Sequence, residues 1–284
     1  MKFHLDTAEI FVPDGLAVEQ ALQRTTHLAI SAHQDDIEIM AARPILECFQ
    51  QPDRWFTGVV VTDGRGAPRN GLYEHYSDEE MRTVRFKEQR KAAILGEYAA
   101  QVMLDYPSKV IKDGSQLQPV EDLAALLQAS RPQFVYTHNL ADKHDTHVAV
   151  ALRVIAAIRS LPATQRPQKL YGCEVWRDLD WLVDSDKTPF DLSEHENLQA
   201  ALLGVFDSQI AGGKRYDLAS MGRRRANATY FESHGVDVTT GMSYAMDLTP
   251  LMQDTGKEIS TLVQEFIQRF SQEVNLRLQR LGEK

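Results

Sequence analysis

Through its first 176 residues this chain alternates short apolar, β-branched runs with helix-patterned segments, and few folds accommodate that order. The runs lie at His27–His33, Trp55–Thr62, Gln101–Tyr106, Gln133–His138 and Lys169–Trp176. Helical patterns fall between them at Pro44–Phe49, Asp78–Leu95, Val120–Ala129 and Asp145–Ser160. The runs are apolar throughout rather than alternating, as strands buried on both faces are. Strands of this kind separated by helices predict βαβ units: a Rossmann-like α/β fold, its mostly parallel sheet covered by helices on both faces. Pro44 suits a first helical turn, where its missing N–H costs nothing, and Gly96 closes the helix after Leu95.

Beyond Trp176 the pattern becomes helical and irregular. Trp181–Ser193 reads as loop and irregular extended chain with Pro189 as a breaker, and helices are expected at Glu196–Gln209 and Arg215–Glu232. A strand at Ser243–Leu248 precedes a long helix, Pro250–Leu281. On that helix Ile259, Leu262, Phe266, Phe270, Val274 and Leu281 form one stripe, open to two uses: packing on the protein's own core, or contact between copies in a homo-oligomer. No repeat or long linker divides the chain, so residues 1–284 are expected to form one domain, with a core at 27–160 and a C-terminal extension.

Composition narrows the partners. With 31 Lys and Arg against 40 Asp and Glu, the net charge of −9 argues against phosphate-driven nucleic-acid binding. No stretch approaches the 18 or so apolar residues of a membrane helix, and the first two dozen residues lack an apolar signal core. Two cysteines, Cys48 and Cys173, make no disulfide framework. A cytoplasmic protein acting on a small molecule is the expectation.

Two histidine clusters carry the chemistry. Ser31-Ala32-His33-Gln34-Asp35-Asp36-Ile37-Glu38 follows the first apolar run, and His138-Asn139-Leu140-Ala141-Asp142-Lys143-His144-Asp145-Thr146-His147 follows the fourth. Both lie just past the carboxyl ends of predicted strands, where an open α/β sheet forms its ligand crevice. If those strands are neighbours across the reversal of strand order, the clusters meet. Imidazole and carboxylate are good ligands for a divalent ion, and a catalytic zinc has three protein ligands plus water. His33 and Asp36, three apart across a turn, can share an ion with His147 at a helix start. Asp35 is then free beside it to act as general base. Singly these residues have plainer uses: a helix cap for the aspartates, a structural hydrogen bond for His138, which stays unassigned. His4, His27, His75, His195 and His234 read as structural or exposed, and Arg223–Arg225 as a solvated helix face. Arg65 and Arg69, among Gly64, Gly66 and Gly71, read as a basic loop near the site: a lid or a plain surface loop.

Ala32-His33-Gln34-Asp35-Asp36-Ile37-Glu38 resembles the Ala-His-Pro-Asp-Asp-x-Glu signature of the PIG-L/LmbE-like zinc-dependent N-deacetylases, and His144-Asp145-Thr146-His147 resembles that family's His-Pro-Asp-His. Thr62-Asp63-Gly64-Arg65-Gly66 is similar to its glycine loop with the second glycine displaced. Arg85-x-x-Glu88, followed by Ala92-Ala93-Ile94-Leu95-Gly96, resembles its Arg-x-x-Glu helix. Phe206-Asp207-Ser208-Gln209 resembles a family His-x-Ser-Gln without the histidine.

The resemblance implies removal of an acetyl group from an N-acetylglucosamine-type sugar. It assigns the ion, zinc (Zn2+) or another divalent metal such as Fe2+, to His33, Asp36 and His147. It makes Asp35 the base, sets a protonated His144 at the reacting carbonyl, and gives Arg85 to the substrate. Three positions depart from the pattern. Gln34 stands for proline and is expected to loosen the turn; Asp145 also stands for proline; and Thr146 stands for the aspartate that orients His144, a role left to Asp145 or Asp142. Two other readings stay open: a metal-dependent hydrolase of another amide or acyl group, and a non-catalytic metal- or sugar-binding protein. A NAD-binding Rossmann protein is disfavoured because His33-Gln34-Asp35-Asp36 occupies the turn where Gly-x-Gly-x-x-Gly would lie.

Overall fold

The computed structural model describes residues 1–282. Its elements run β1 (Glu9–Phe11), α1 (Val18–Gln23), β2 (His27–Ser31), α2 (Asp36–Met40), α3 (Ala42–Cys48), β3 (Phe56–Thr62), α4 (Asp78–Leu95) and β4 (Ala100–Tyr106). There follow α5 (Ser108–Lys112), α6 (Gln118–Ser130), β5 (Phe134–His138), α7 (Asp145–Ser160), β6 (Lys169–Cys173), β7 (Lys187–Asp191) and α8 (Glu196–Gly204). The chain continues through α9 (Asp207–Ile210), α10 (Tyr216–Tyr230), β8 (Met242–Asp247), α11 (Thr249–Gln253) and α12 (Ile259–Leu281).

The eight strands form one sheet in the order β1-β4-β3-β2-β5-β6-β8-β7. The central five are parallel; β1, β8 and β7 add antiparallel edges. Alternate residues of the same strand feed two cores. Leu28, Ile30, Val59, Val61, Val102 and Leu104 pack on one face with α6 and α7, and Ala29, Val60 and Met103 on the other with α2, α3 and α4. The expected α/β fold with helices on both faces is what forms. β2 sits at the sheet's centre with β3 on one side and β5 on the other, so strand order reverses between β2 and β5.

Local chemistry explains the element boundaries. Ser77 and Glu80 form a reciprocal capping box at the start of α4, and Gly96 ends it. In the C-terminal part three expectations change. Pro189 does not break the chain; it lies within β7, an edge strand whose outer side needs no N–H. The expected 250–281 helix is two, α11 and α12. Between them Gly256 N–H donates to Asp254 Oδ1 and Lys257 N–H to the Asp254 carbonyl, a turn that competes with helix. The Glu196–Gln209 segment is likewise two helices, α8 and α9. On α12 the apolar stripe divides: Leu262 and Phe266 are buried in the core, whereas Phe270 and Val274 are 40% and 37% exposed. No helix among the described residues is long and apolar enough to cross a membrane.

Candidate metal centre

The topology brings the two histidine clusters together at the carboxyl ends of β2 and β5. These ends are tied directly: Thr137 Oγ1 donates to the Ile30 carbonyl (3.0 Å), and the Ala32 N–H donates to His138 Nε2 (2.8 Å). After β2 the chain turns sharply, with Asp35 at φ 83°, and α2 begins at Asp36. The His33 N–H donates to Asp36 Oδ2 (2.7 Å), which fixes that carboxylate under the turn. From the other side His144 caps α7, and His147 lies in its first turn.

Three donor atoms converge. His33 Nδ1 is 3.2 Å from Asp36 Oδ2, His147 Nε2 is 3.3 Å from the same oxygen, and the two ring nitrogens are 3.3 Å apart. Ligands about 2.0–2.1 Å from a tetrahedral ion lie roughly 3.3–3.4 Å from one another, so this triangle has the size of one face of such a site. Behind it Asp142 Oδ2 faces His147 Nδ1 at 3.4 Å, the arrangement in which an outer carboxylate orients a ligating ring. A second group, His138, Asp142 and His147, is also close together. It is less suited to a cation, because His138 Nε2 is already occupied by the Ala32 N–H and all three residues are buried.

Charge follows the same geometry. Burial pushes the Asp36 carboxyl up, but His147, the His33 hydrogen bond and His138 outweigh it and hold it below the ordinary carboxylate range. Burial lowers His147, yet Asp36 and Asp142 bring it above the usual imidazole value. Burial lowers His33 and, with the charge of His147, lowers His138 further. Asp35 is the opposite case. Burial raises it well above the carboxylate range despite Arg85, and its Oδ2 has no hydrogen-bond partner.

These residues border a cleft of about 320 Å³, lined by His33, Asp35, Asp36, Arg85, His144 and Trp176 among others. Arg85 reaches it from α4 as a buried side chain. Its Nε donates to Gln34 Oε1 (3.0 Å), its terminal nitrogen donates to the Gln34 carbonyl, and it stands 3.6 Å from Asp35 Oδ2. Gln34 therefore does not loosen the turn, as its replacement of proline led one to expect: its side chain is pinned to Arg85. His144 faces the cleft with Nδ1 buried and unpartnered. Neither aspartate left open as its orienter reaches the ring. Asp145 is exposed, and Asp142 accepts the His144 backbone N–H (2.9 Å) and the Trp176 N–H (3.1 Å). Burial, then the neighbouring His147 and His33 rings, keep His144 below the ordinary imidazole value, so a protonated resting His144 is not favoured.

Several residues singled out in the sequence have partners that it did not show. The Arg85-x-x-Glu88 helix meets the 206–209 motif, since the Ser208 N–H (2.8 Å) and Oγ (2.6 Å) donate to the two Glu88 oxygens; Gln209 then lines the cleft. Arg224 is not solvated but buried, donating to the carbonyls of Glu38 (2.8 Å) and Ile39 (3.2 Å) on α2. Arg65 and Arg69 form no free basic loop. Arg65 pairs with Asp63 and Glu79, and Arg69 with Asp78.

Fold and site together define a doubly wound α/β protein with a two-histidine, one-carboxylate centre at the switch point of its sheet. More specifically, residues 28–158 match the family model described as PIG-L, GlcNAc-PI de-N-acetylase. No curated protein sequence matches the chain. Among solved structures, the N,N'-diacetylchitobiose deacetylase of Pyrococcus horikoshii superposes with a TM-score of 0.63 at 16% identity, over 84% of this chain and 88% of that one. The conserved protein TT1542 of Thermus thermophilus gives 0.59 at 16%, over 82% and 98%. The 4-carboxy-2-hydroxymuconate hydratase GalB of Pseudomonas putida gives 0.58 at 15%, over 79% and 95%. At these identities the likeness is one of fold.

Proposed function

We propose that the protein is a metal-dependent hydrolase that removes the acetyl group from an N-acetylglucosamine-type sugar or glycoconjugate. The observation that carries this reading is the triangle of His33, Asp36 and His147 at the mouth of β2 and β5, with Asp35 beside it, whose Oδ2 accepts no hydrogen bond. The PIG-L match supports it, and so does a deacetylase among the fold neighbours. The hydratase neighbour shows that the scaffold alone does not choose the reaction. The choice of amide hydrolysis therefore rests on the residues.

In this reading His33, Asp36 and His147 hold a divalent cation such as Zn2+ or Fe2+. When bound, such an ion supplies Lewis acidity toward a carbonyl and lets water ionise near neutral pH. Asp35 takes the proton from the attacking water; burial raises its proton affinity toward the range a general base needs. His144 faces the acetyl carbonyl and, as a neutral ring, donates a hydrogen bond to the oxygen that gains charge. Arg85 fixes the Gln34–Asp35 turn and presents its edge to the cleft, so its contact with substrate is accompanied by a positioning role. The proton returned to the departing amine comes from Asp35.

The test is amine release from N-acetylglucosamine and its glycosides by the metal-loaded protein. Wild type is expected to turn over, while Asp35→Asn retains its metal and loses about a hundredfold or more in kcat. Near-normal turnover in Asp35→Asn removes Asp35 as the base. No amine from any N-acetyl sugar removes the deacetylase reading.

A further inference from the structure

We infer that Gln89 is a positioning residue for Asp35, and that Glu38, Gln101 and Tyr98 form a buried network that aims it. The inference rests on the reading of Asp35 as the group that takes a proton in the cleft. The peptide joining Gln34 to Asp35 is gripped at both polar ends by α4. Arg85 donates to its carbonyl, and Gln89 Oε1 accepts its N–H (3.4 Å). Arg85 and Gln89 are four apart on that helix, so they share a face and bracket the turn. Held at both ends, the peptide plane cannot rotate, and the direction in which Asp35 leaves the backbone is fixed. Its φ of 83° is a conformation that a residue with a side chain keeps only where the surroundings impose it.

What aims the Gln89 amide lies deeper. Its nitrogen has two protons and both are committed, one to Glu38 Oε1 (2.8 Å) and one to Gln101 Oε1 (3.3 Å). The amide oxygen is left facing Asp35. Glu38 Oε1 also accepts from the Tyr98 hydroxyl (2.8 Å), and the Gln101 amide nitrogen donates to the Val102 carbonyl (3.0 Å). Gln89 and Gln101 are fully buried and Glu38 and Tyr98 nearly so, in a core that includes Ile37, Ile45, Phe56, Val60 and Met103. The sheet makes room for them: a Cβ on Gly58 of β3 would lie 2.5 Å from Gln101 Oε1. Such a network is a poor source of stability. Glu38 Oε2 is buried without a partner, and apolar side chains of similar shape would fill the space with no polar group to satisfy. The Asp35 peptide at its end is what the arrangement serves. Gln89, Tyr98 and Gln101 fall in none of the motifs that mark the site in the sequence.

The experiment uses Gln89→Met, which keeps the length of the side chain without its acceptor. Beside it stand Glu38→Met and Glu38→Gln, the second of which keeps an oxygen for Gln89 and Tyr98. For each metal-loaded variant, metal content, Tm, and kcat and KM on N-acetylglucosamine and its glycosides are compared with wild type. Gln89→Met and Glu38→Met should lose about tenfold in kcat with KM and metal content unchanged, while Tm stays level or rises. Glu38→Gln should recover most of that loss. Unchanged kcat in Gln89→Met, equal losses in the two Glu38 variants, or a kcat loss accompanied by lost metal or a lower Tm overturns the inference. Should wild type release no amine from any N-acetyl sugar, the deacetylase reading fails separately, and amide hydrogen exchange decides the positioning. Faster exchange of the 33–37 segment in Gln89→Met, with the other segments unchanged, supports it; unaltered exchange there overturns it.

Discussion

Asp35 stands at φ 83°, in a region that side-chain-bearing residues rarely adopt, and the turn that holds it there is built from its neighbours. Its N–H points to Gln89 Oε1 (3.4 Å), and the residue before it is clamped by Arg85. Gly64 completes the clamp. At φ +70° it packs so closely that a Cβ would lie 2.3 Å from Gln34 Oε1 and 3.0 Å from Arg85 Cδ. Gly64→Ala should therefore shift Gln34 and Arg85 and lower kcat/KM about tenfold with the fold retained, read by turnover alongside circular dichroism. Unchanged turnover in that variant would mean that the clamp does not position Asp35. A second single-residue prediction concerns His27, buried against Phe134 and Tyr136 far from the cleft. Burial holds it below its ordinary value of about 6.5 despite Glu47. Its contribution is thus intact above that value and lost as the pH falls toward the depressed folded-state pKa. Denaturation at pH 7.5 and at pH 5 should show wild type losing more stability on acidification than His27→Gln. An equal loss would show that His27 does not titrate on unfolding.

The elements that were legible are those whose ends carry chemical signals. α4 reads as Asp78–Leu95 in both sequence and structure, its end marked by Gly96, and α7 as Asp145–Ser160, with an apolar face along its length; the Ser77 capping box emerges only in the structure. α2 was not anticipated: five residues starting inside the site motif are too short to show a period. β7 was hidden by Pro189, which an edge strand tolerates, and the break between α11 and α12 by a turn at Asp254 and Gly256. Arg223–Arg225 misled for a geometric reason. Consecutive helical residues point about 100° apart, so three in a row cannot share one solvated face. Arg225 pairs with exposed Glu196, Arg223 donates to the Val175 carbonyl, and Arg224 turns inward, bonding α8 at Gln199 and α2 at two carbonyls. Arg224→Ala would leave those buried groups without partners, and denaturant unfolding should show a loss of about 3 kcal/mol. A loss under about 0.5 kcal/mol would mean that α10 does not hold α2 through this residue.

Across the molecule as a whole, the site was legible because strand-end positions and sheet topology together determine which loops meet. His33 and His147 are 114 residues apart, yet β2 and β5 are hydrogen-bonded neighbours. What sequence could not reveal was what arrives from outside those loops without a motif: Trp176 beyond β6, Lys214 after α9, and Lys112 after β4. No motif marks single residues whose partners are set only by packing. The ion-paired 63–78 loop shows the converse, a basic pattern cancelled by acids within or next to it in sequence, Asp63, Asp78 and Glu79. Everything proposed for the cleft depends on one divalent cation held by the three converging donors. Elemental analysis of protein purified without chelator tests this, wild type beside His33→Ala, with thermal unfolding of each on adding Zn2+. About one divalent ion per wild-type chain and a raised Tm on zinc addition are expected, both lost in His33→Ala, since ligand binding to the folded state stabilises it. No bound metal in wild type even after reconstitution, or equal metal in His33→Ala, would contradict a cation at this centre.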